Sequence, residues 1–543
     1  MVRLSAHIAI LTDPRLQPLQ NLYRSRFFVH AHYMEKDNDT HGSSSNPRQQ
    51  ADVRWSPALA LTPIVVLVIL LGGSVYLFGT DSSAGANQIA LLLSATIVGL
   101  VGLRVGLRWR TVQAGMVEGI ALGLNPILIL LAVGMLIGTW ILSGTVPAMI
   151  YYGVEVLDPN VFYAASAVLC AVVAISIGSS WTVAGTLGIG LMGIGLTFEM
   201  SPAITAASII CGAYFGDKLS PLSETTNLAA AVTSVDLFDH IRHMLWTTIP
   251  AFVITIGIFV FLGDKPTATE AEIEELQQAL RAQFEISPIL LLPLLLMLLL
   301  VVKRVPAFPA IVISALTGAV FALVFQHDVI TQFVDEPNSH TTLVFIKGIW
   351  MSLIDGYQSS SGNELLDDLL SKGGMSSMLF TVWLIICALA FGGALERSGI
   401  LGYMLDGTLR RVNGHGPLIA TTVGTCISTN VLTADQYISV ALPGRMFTQS
   451  YKRLGLSPLN LSRTLEDSGT ITSVLIPWNT CGAYMSATLG IATLEYAPYA
   501  FFNFLCPIIA IVYGFIGFAL KPTDGAADGS DTYDRPTGTV GSS

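Results

Sequence analysis

The segment GAYFGDKLSPLSETTN (212–227) places acidic, hydroxyl and amide side chains between two strongly apolar stretches. Pro221 has no backbone N–H and clashes with the carbonyl of the preceding turn, so a continuous helix through this segment is disfavoured. The carbonyl groups freed by such a break need partners, and a hard cation such as Na⁺ suits oxygen ligands. The candidate ligands are Asp217, Ser220, Ser223, Glu224, Thr225, Thr226 and Asn227.

A second polar break, EDSGTITSVLIPWNT (466–480), lies in the second half of the chain. It again combines carboxylates and hydroxyl groups with a proline, here Pro477. Its candidate ligands are Glu466, Asp467, Ser468, Thr470, Thr472, Ser473, Asn479 and Thr480. Further oxygen ligands are predicted earlier in each half, at Ser179, Ser180 and Thr182 and at Ser428, Thr429, Asn430, Thr433 and Asp435.

Asp217 and Asp467 are the carboxylates for which a cation and a proton are expected to compete. An apolar surrounding favours the protonated carboxyl group, whereas a bound cation favours the ionised form. One such group therefore holds either a proton or Na⁺. Lys218 allows two interpretations, because neighbouring residues of a regular helix do not face each other. It is either a charge at a helix end that extends to the membrane interface, or a salt-bridge partner of an acidic residue in the site.

The rest of the sequence is apolar enough to place these residues inside a membrane. Hydrophobic residues make up 52% of the 543 residues and charged residues 12%, against about 25% in soluble domains. Apolar runs of about 20 residues, the length that crosses a bilayer as a helix, recur along the chain and are clearest at 57–78, 286–302, 378–395 and 501–520. The sequence therefore predicts an all-α polytopic membrane protein with roughly 11–13 spans, some of them discontinuous or re-entrant.

Two parts of the sequence, about 112–230 and 360–482, resemble each other weakly and in the same order. The matching pairs are GTWILSG (138–144) with GALERSG (393–399), SSWTVAGTLGIGLMGIG (179–195) with STNVLTADQYISVALPG (428–444), and GDKLSPLS (216–223) with EDSGTITS (466–473). Two halves that each interrupt apolar helices in this way are typical of secondary transporters, whose ions bind near the midplane of the membrane. Helix packing by small residues is the alternative explanation for the glycine-rich stretch 185–195.

Other patterns limit the remaining function classes. The six cysteines lie in apolar stretches without CxxC spacing, which favours free core thiols over a zinc site or disulfides. GIGLMG (188–193) matches GxGxxG, but no βαβ pattern surrounds it, so nucleotide binding is not indicated. His240 and His243 predict either a surface helix beside the membrane or a cytoplasmic pH sensor. Nothing indicates an enzyme, a nucleic-acid partner or a cofactor.

The distribution of lysine and arginine predicts the orientation, because these residues collect near helix ends on the cytoplasmic side. Arg48 and Arg54 precede the first apolar run, Lys303 and Arg304 follow a later one, and 264–283 is mostly acidic. The N-terminus is therefore expected in the cytoplasm. The sequence predicts three regions: a disordered leader (1–56), a transmembrane domain (57–520) and a disordered tail (521–543). Within the leader, Met34 is a candidate for the true first residue, with 1–33 included by an incorrect assignment of the translation start.

The segments around the polar breaks closely resemble the NhaC family of Na⁺/H⁺ antiporters. They are GSSWTVAGTLGIGLMGIG, GAYFGDKLSPLSETTNLAA, TADQYISVALPGRMF and SRTLEDSGTITSVLIPWNTCGAYM, and the resemblance extends from residue 58 to residue 520. It implies the ion-transporter-superfamily fold of two inverted repeats, each with a hairpin and a discontinuous helix. It also implies exchange of cytoplasmic Na⁺ for external protons across the cell (inner) membrane, and it suggests a homodimer in the lipid bilayer. Glu224 stands where a shorter aspartate is expected and keeps the carboxylate.

Two functions follow as hypotheses. The first is a Na⁺/H⁺ antiporter that works by alternating access, with Asp217 and Asp467 as Na⁺ or proton carriers and with Asn227, Asn430 and Asn479 and the hydroxyl groups lining the site. The alternative is a transporter of organic acids such as malate and lactate, or of amino acids, coupled to Na⁺ or H⁺. Such a site needs a donor for the substrate carboxylate, and Lys218, Arg445 or the N-terminus of a half-helix would supply it.

Overall fold

The computed structural model describes residues 55–263, 270–336, 340–409 and 414–523, and the regular elements in these ranges are helices. Within them, strand-type pairing is confined to an isolated bridge between Leu456 and Pro522. The all-α polytopic fold predicted from the sequence is confirmed. The leader up to Arg54, its start-site question and the tail from 524 lie outside the described residues, so these expectations stay predictions.

Eight helices of the described ranges are long and apolar enough to cross a membrane. Two further helix pairs are bent by 89° and 56°, and they raise the number to ten if each pair is one span. The prediction of roughly 11–13 spans also counted interrupted segments. The difference arises because some helices of the polar breaks, such as the 19-residue His415–Thr433, carry many polar side chains and do not meet the same criterion.

The helices fall into four groups along the chain. The first group is α1 (Pro57–Phe78), α2 (Ala86–Arg104) and α3 (Trp109–Leu122). The second is α4 (Leu124–Leu142), α5 (Thr145–Val156), α6 (Phe162–Ile177), α7 (Ser180–Val183), α8 (Ile189–Thr197), α9 (Pro202–Leu219), α10 (Glu224–Thr233) and α11 (Leu237–Leu262). The third is α12 (Glu270–Gln283), α13 (Leu292–Val302), α14 (Ala307–Phe325), α15 (His327–Val334), α16 (Thr341–Ile354) and α17 (Glu364–Leu370).

The fourth group repeats the order of the second. It comprises α18 (Leu379–Arg397), α19 (Ile400–Leu409), α20 (His415–Thr433), α21 (Gln436–Arg453), α22 (Pro458–Leu465), α23 (Thr480–Leu489), α24 (Thr493–Tyr496) and α25 (Phe501–Ile516). The helices α4 and α18 each have 19 residues, and α10 and α23 each have 10. Serine followed by proline begins both α9 and α22. The inverted relation of the two groups stays a prediction.

The backbone at the first interruption of each group shows which residues correspond. Gly178 and Ala434 both adopt the left-handed conformation, with φ of 75° and 58°. Each is followed by an extended residue whose side chain caps the next helix, Ser179 before α7 and Asp435 before α21. Ser179 therefore corresponds to Asp435, whereas the sequence match had paired it with Ser428.

The second interruption corrects the pairing of the two aspartates. Ser223 caps α10 and Asn479 caps α23, so these two residues are equivalent. Counting back along the chain from these caps makes Ser473 the counterpart of Asp217. Asp217 and Asp467 are therefore not equivalent positions of a duplicated site. The sequence match failed here because it aligned two aspartates that stand at different positions within their groups.

Glycines bring the helix that carries the first break into close contact with its neighbour. A Cβ atom at Gly212 of α9 would lie 2.0 Å from the Ala167 carbonyl oxygen of α6, and one at Gly216 would lie 2.3 Å from that of Ala171. Only glycine permits this approach, which is the small-residue packing common between membrane helices. Asp217 follows Gly216 directly, so this packing holds it at the end of α6. The six cysteines are buried and free, as predicted.

Candidate cation site

Asp217 lies where two helix interruptions meet. Helix α9 ends at Leu219, and α7 begins beside it after the turn at Gly178. One carboxylate oxygen of Asp217 accepts hydrogen bonds from the backbone N–H of Ser180 (3.0 Å) and from its hydroxyl group (2.7 Å). Asp217 is only 8% exposed. Its known donors are neutral, so they orient the carboxylate without cancelling its charge.

A cavity of about 240 Å³ opens next to Asp217. Seven of the predicted ligands line it, namely Ser179, Ser180, Thr182, Asp217, Ser223, Glu224 and Thr225. Trp181, Arg304, Gln436 and Tyr437 also line it, and the sequence interpretation did not include them. Gln436 and Tyr437 come from the fourth group of helices, so both groups contribute to one cavity. The spacing of residues within a single segment carried no signal for that contribution.

The remaining predicted ligands of the first break stabilise the break itself. The amide of Asn227 donates to the carbonyl groups of Pro221 (3.0 Å) and Ser223 (2.7 Å). The Thr226 hydroxyl donates to the Lys218 carbonyl (3.1 Å), and the Ser220 hydroxyl accepts from the backbone N–H of Leu222 (3.3 Å). Several backbone carbonyls that the sequence assigned to a cation are therefore satisfied by side chains of the same segment.

The second break is closed by side-chain hydrogen bonds. The Asn430 amide donates to the Gly469 carbonyl (2.6 Å), and the Asn479 amide donates to the side-chain oxygen of Asn430 (3.2 Å). Both asparagines are fully buried, and neither lines the cavity beside Asp217. Their oxygen and nitrogen atoms are occupied by protein partners. These residues therefore fix the second break rather than offer ligands to an ion.

The other predicted ligands of the second half also lie outside the cavity. The Thr433 and Ser468 hydroxyl groups donate to carbonyls one turn earlier, those of Thr429 (2.9 Å) and Thr464 (2.6 Å). Asp435 is buried and accepts from the backbone N–H of Ile438 (2.9 Å) as a helix cap. The buried hydroxyl of Thr470 has no well-formed hydrogen bond.

Lys218 forms an ion pair with Asp467, and both side chains are completely buried. The same Asp467 oxygen accepts a hydrogen bond from the Thr247 hydroxyl of α11 (2.9 Å). Of the two interpretations of Lys218, the structure selects the salt bridge. Asp217 and Lys218 therefore point to different partners, one towards the cavity and the other towards the second break. Sequence reasoning could not identify this pairing, because 249 residues separate the two partners.

The two histidines do not lie on a surface helix. His240 of α11 is fully buried, and its ring nitrogen Nδ1 lies 2.8 Å from the Ser462 hydroxyl of α22. His243 is partly buried, with Nε2 3.2 Å from the side-chain oxygen of Asn460. Both rings pack α11 against α22, so the expectation of a surface helix is wrong.

Two aromatic contacts join the groups reciprocally. Tyr437, the second residue of α21, donates its hydroxyl to Glu224, the first residue of α10 (2.7 Å). Trp181 of α7 stacks on Tyr484 of α23 with ring centroids 4.1 Å apart, and the Tyr484 hydroxyl donates to the Trp181 carbonyl (2.9 Å). Trp181 and Tyr437 both stand two residues after their helix caps. Each group thus contacts the short helix of the other.

The comparisons with known proteins agree with this architecture. The model of the Na⁺/H⁺ antiporter family matches residues 212–518, which include both polar breaks and the Lys218–Asp467 pair. The chain is 39% identical to the Na⁺/H⁺ antiporter NhaC of Alkalihalophilus pseudofirmus over 80% of this chain and 90% of that protein. The chain belongs to the Na⁺/H⁺ antiporter family. This membership and the eight to ten apolar spans of the described ranges make the chain a multi-pass membrane protein.

Other relatives of this chain are named after different substrates. It is 36% identical to the malate-2H⁺/Na⁺-lactate antiporter of Bacillus subtilis over 79% of this chain and 89% of that protein. It is 34% identical to the arginine/ornithine antiporter ArcD of Halobacterium salinarum over 87% of this chain and 95% of that protein. The substrate must therefore be argued from the chemistry of the cavity.

Proposed function

We propose that this family member exchanges Na⁺ for protons across the cell membrane and that Asp217 binds the Na⁺ ion. The observation that carries the proposal is an aspartate beside a cavity whose carboxylate is held by neutral donors. Among the described residues, no lysine, arginine or histidine forms an ion pair with Asp217 or Glu224. A cavity with two unpaired carboxylates and several hydroxyl groups suits a hard cation.

The predicted orientation indicates from which side of the membrane this cavity is reached. Arg304 lines the cavity, is exposed, and belongs to the positively charged segment expected on the cytoplasmic side. Na⁺ would then reach Asp217 from the cytoplasm, and alternating access would expose the same carboxylate to the other side. The reciprocal contacts Tyr437–Glu224 and Trp181–Tyr484 are the contacts that such a movement would rearrange. Homodimer formation stays a prediction.

The proposal is tested with Asp217→Asn in everted membrane vesicles, where a fluorescent pH probe reports proton movement after Na⁺ is added. We expect Na⁺-dependent proton movement to fall to the level of vesicles without the protein, because the amide cannot ionise to bind the cation. The matched control is Asp328→Asn on α15, where the aspartate is exposed and lies outside the cavity. Normal exchange by Asp217→Asn, at wild-type protein levels, would refute the assignment of Na⁺ to Asp217.

Transport of an organic acid or an amino acid is the second candidate, and Arg304 is the observation that favours it. Among the described residues that line the cavity, Arg304 is the basic one, and its guanidinium group would bind a substrate carboxylate. The other donors considered for this role support it less, because Lys218 is paired with Asp467 and Arg445 does not line the cavity. Uptake of labelled malate, lactate or arginine into proteoliposomes, with and without Na⁺, distinguishes this candidate from Na⁺/H⁺ exchange.

A further inference from the structure

Among the described residues, Glu466 is a buried carboxyl group without an ion-pair partner, next in sequence to the buried pair of Asp467 and Lys218. The side chain is fully buried, and neither of its carboxyl oxygens makes a well-formed hydrogen bond. Among the described residues, no cation lies within ion-pair distance of it. An ionised carboxylate in such a place costs several kcal/mol, so a group of this kind holds a proton or acquires a cation.

The cations near Glu466 are already engaged elsewhere. Lys218 pairs with Asp467, the next residue along the chain. Arg463, one turn before Glu466, is fully buried and donates from one nitrogen to the Ala519 carbonyl (2.8 Å). Its other two nitrogens have no well-formed hydrogen bond, and therefore none reaches Glu466. The arrangement leaves Glu466 as the carboxyl group of the cluster that is free to gain or lose a proton.

The charges of this cluster tolerate both protonation states. With Lys218, Arg463 and Asp467 ionised, the cluster carries one net positive charge when Glu466 is protonated. Loss of that proton makes the cluster neutral. Both forms therefore lie within one charge of neutrality, whereas an isolated buried acid is strongly biased towards its neutral form. This is the property that a proton-carrying group needs, because it must be stable in both states.

The backbone around Glu466 is irregular. Residues Glu466–Thr470 form a π-helical turn that interrupts the helix beginning at Pro458. Single π-helical turns inside α-helices are frequent at functional sites, and a second one in this chain, Ala184–Gly188, follows α7 beside the cavity. The Thr470 hydroxyl, one turn after Glu466, is buried and also lacks a well-formed hydrogen bond. This hydroxyl group interacts with the Glu466 carboxyl group on the same irregular turn, and such a neutral contact does not compensate the charge of an ionised carboxylate.

Glu466 is connected to the cavity through neighbouring residues: Asp217 lines the cavity, Lys218 follows Asp217 and pairs with Asp467, and Asp467 follows Glu466. Besides Asp217 and Lys218, the titratable and charged groups on its own helix and on the helices packed against it are Arg463, Asp467, Glu224, Asp239, His240, Arg242, His243, His415, Cys426, Tyr437, Arg445, Tyr451, Lys452, Arg453, Cys506 and Tyr513. A cation bound at Asp217 stabilises the ionised form of Glu466 through the low-dielectric interior, and so favours release of its proton. An empty, ionised Asp217 has the opposite effect. This sign is the one that antiport requires.

We propose that Glu466 carries an exchanged proton, so that Na⁺ and the proton occupy different carboxyl groups that are coupled electrostatically. The proposal rests on the proposed Na⁺/H⁺ exchange and on Asp217 as the Na⁺ ligand. It replaces simple competition at one carboxylate with two linked sites, one lining the cavity and one in the protein interior. Nothing in the sequence distinguished Glu466 from the other oxygen-bearing residues of its segment.

The test compares two transport modes of the purified protein in proteoliposomes. Exchange of radioactive Na⁺ for unlabelled Na⁺ needs Na⁺ binding and reorientation but no proton, whereas Na⁺/H⁺ exchange needs both ions. For Glu466→Gln we expect Na⁺/Na⁺ exchange to persist and Na⁺/H⁺ exchange to be lost. For Asp217→Asn we expect both to be lost. The control is Glu495→Gln, an exposed glutamate of α24, for which both modes should match the wild type.

The outcomes separate this proposal from the proposed function. A wild-type protein without Na⁺-dependent proton movement overturns both. A wild-type protein that exchanges, together with a Glu466→Gln variant that keeps Na⁺/H⁺ exchange, overturns only the role of Glu466. Loss of Na⁺/Na⁺ exchange in a folded Glu466→Gln variant also contradicts that role. If Glu466→Gln does not insert, Glu466→Asp decides: exchange with a displaced pH profile supports the proposal, and an unchanged profile refutes it.

Discussion

The first polar break holds its carboxylate beside a cavity, whereas the second holds its carboxylate in a sealed ion pair. Asp217 accepts from Ser180 alone among well-formed hydrogen bonds and lines a cavity of about 240 Å³. Asp467 pairs with Lys218 and accepts from Thr247 in a fully buried place. Both breaks end in a residue whose side chain caps the next helix, Ser223 before α10 and Asn479 before α23. The same kind of capped helix break therefore occurs in two different electrostatic environments.

The difference indicates that the two halves of this transporter have different electrostatic roles. The first half offers an unneutralised charge to the cavity, and this suits the binding of a cation. The second half holds a neutralised pair, closes its break with two hydrogen-bonded asparagines and contributes a buried carboxyl group that has no ion-pair partner among the described residues. Lys218 belongs to the first half but completes the second, so it links the two environments through the residue next to Asp217.

The largest effect is expected for Lys218→Met, which removes one partner of the buried pair. It leaves Asp467 ionised or forces it to protonate, and we expect a loss of stability of about 3–5 kcal/mol. The measurement is the thermal unfolding midpoint in detergent. The double variant Lys218→Met with Asp467→Leu should recover most of the loss, because neither charge then remains buried alone.

An exposed ion pair supplies the control for this prediction. Lys347 pairs with Glu336 on the surface, where the two side chains are 47% and 42% exposed. Lys347→Met should change the stability by no more than about 1 kcal/mol, because solvent screens such pairs. Equal losses of stability for Lys218→Met and Lys347→Met would contradict the complete burial of the Lys218–Asp467 pair in the second break.

A moderate effect is expected for Ser180→Ala, which removes the hydroxyl donor of Asp217 and leaves the backbone donor. The ionised carboxylate loses a charge-assisted hydrogen bond, so we expect the Na⁺ concentration for half-maximal exchange to rise about tenfold. Ser439→Ala is the matched change in the second half, where the buried hydroxyl donates to the Cys426 carbonyl (2.8 Å). It should leave the Na⁺ dependence unchanged. A similar rise in both variants would show that the first break has no special role in Na⁺ binding.

The smallest effects are expected from the two tyrosines that join the halves. Tyr437→Phe removes the donor to Glu224 in the cavity, so the Na⁺ dependence should shift by about threefold without loss of stability. Tyr484→Phe keeps the stack on Trp181 but removes a buried hydrogen bond, so it should cost about 1 kcal/mol of stability and leave the Na⁺ dependence unchanged. Titration of Na⁺-dependent exchange and thermal unfolding measure the two effects. A shifted Na⁺ dependence for Tyr484→Phe together with a loss of stability for Tyr437→Phe would contradict the difference between the two breaks.

The candidate site was partly predictable because its signals are local. Pro221 disfavours a continuous helix through its segment, and Ser179 and Ser223 are typical helix-capping residues. Seven predicted ligands line one cavity because they belong to two short segments at adjacent interruptions. Asn227 was also predicted as an ion ligand, but its amide donates to carbonyl groups of its own segment. Local sequence shows which residues can bind an ion but not which of them are already engaged.

The sequence by itself determined the class of protein, the places where helices break and the oxygen-rich chemistry at those places. These follow from apolar length, from proline and from the few polar side chains in an apolar chain. Only the tertiary structure decided that Lys218 neutralises Asp467, that Asp217 stays open to a cavity and that Glu466 has no ion-pair partner among the described residues. The physical reason is that electrostatic pairing depends on distances between side chains, and these distances are set by how two groups of helices pack together.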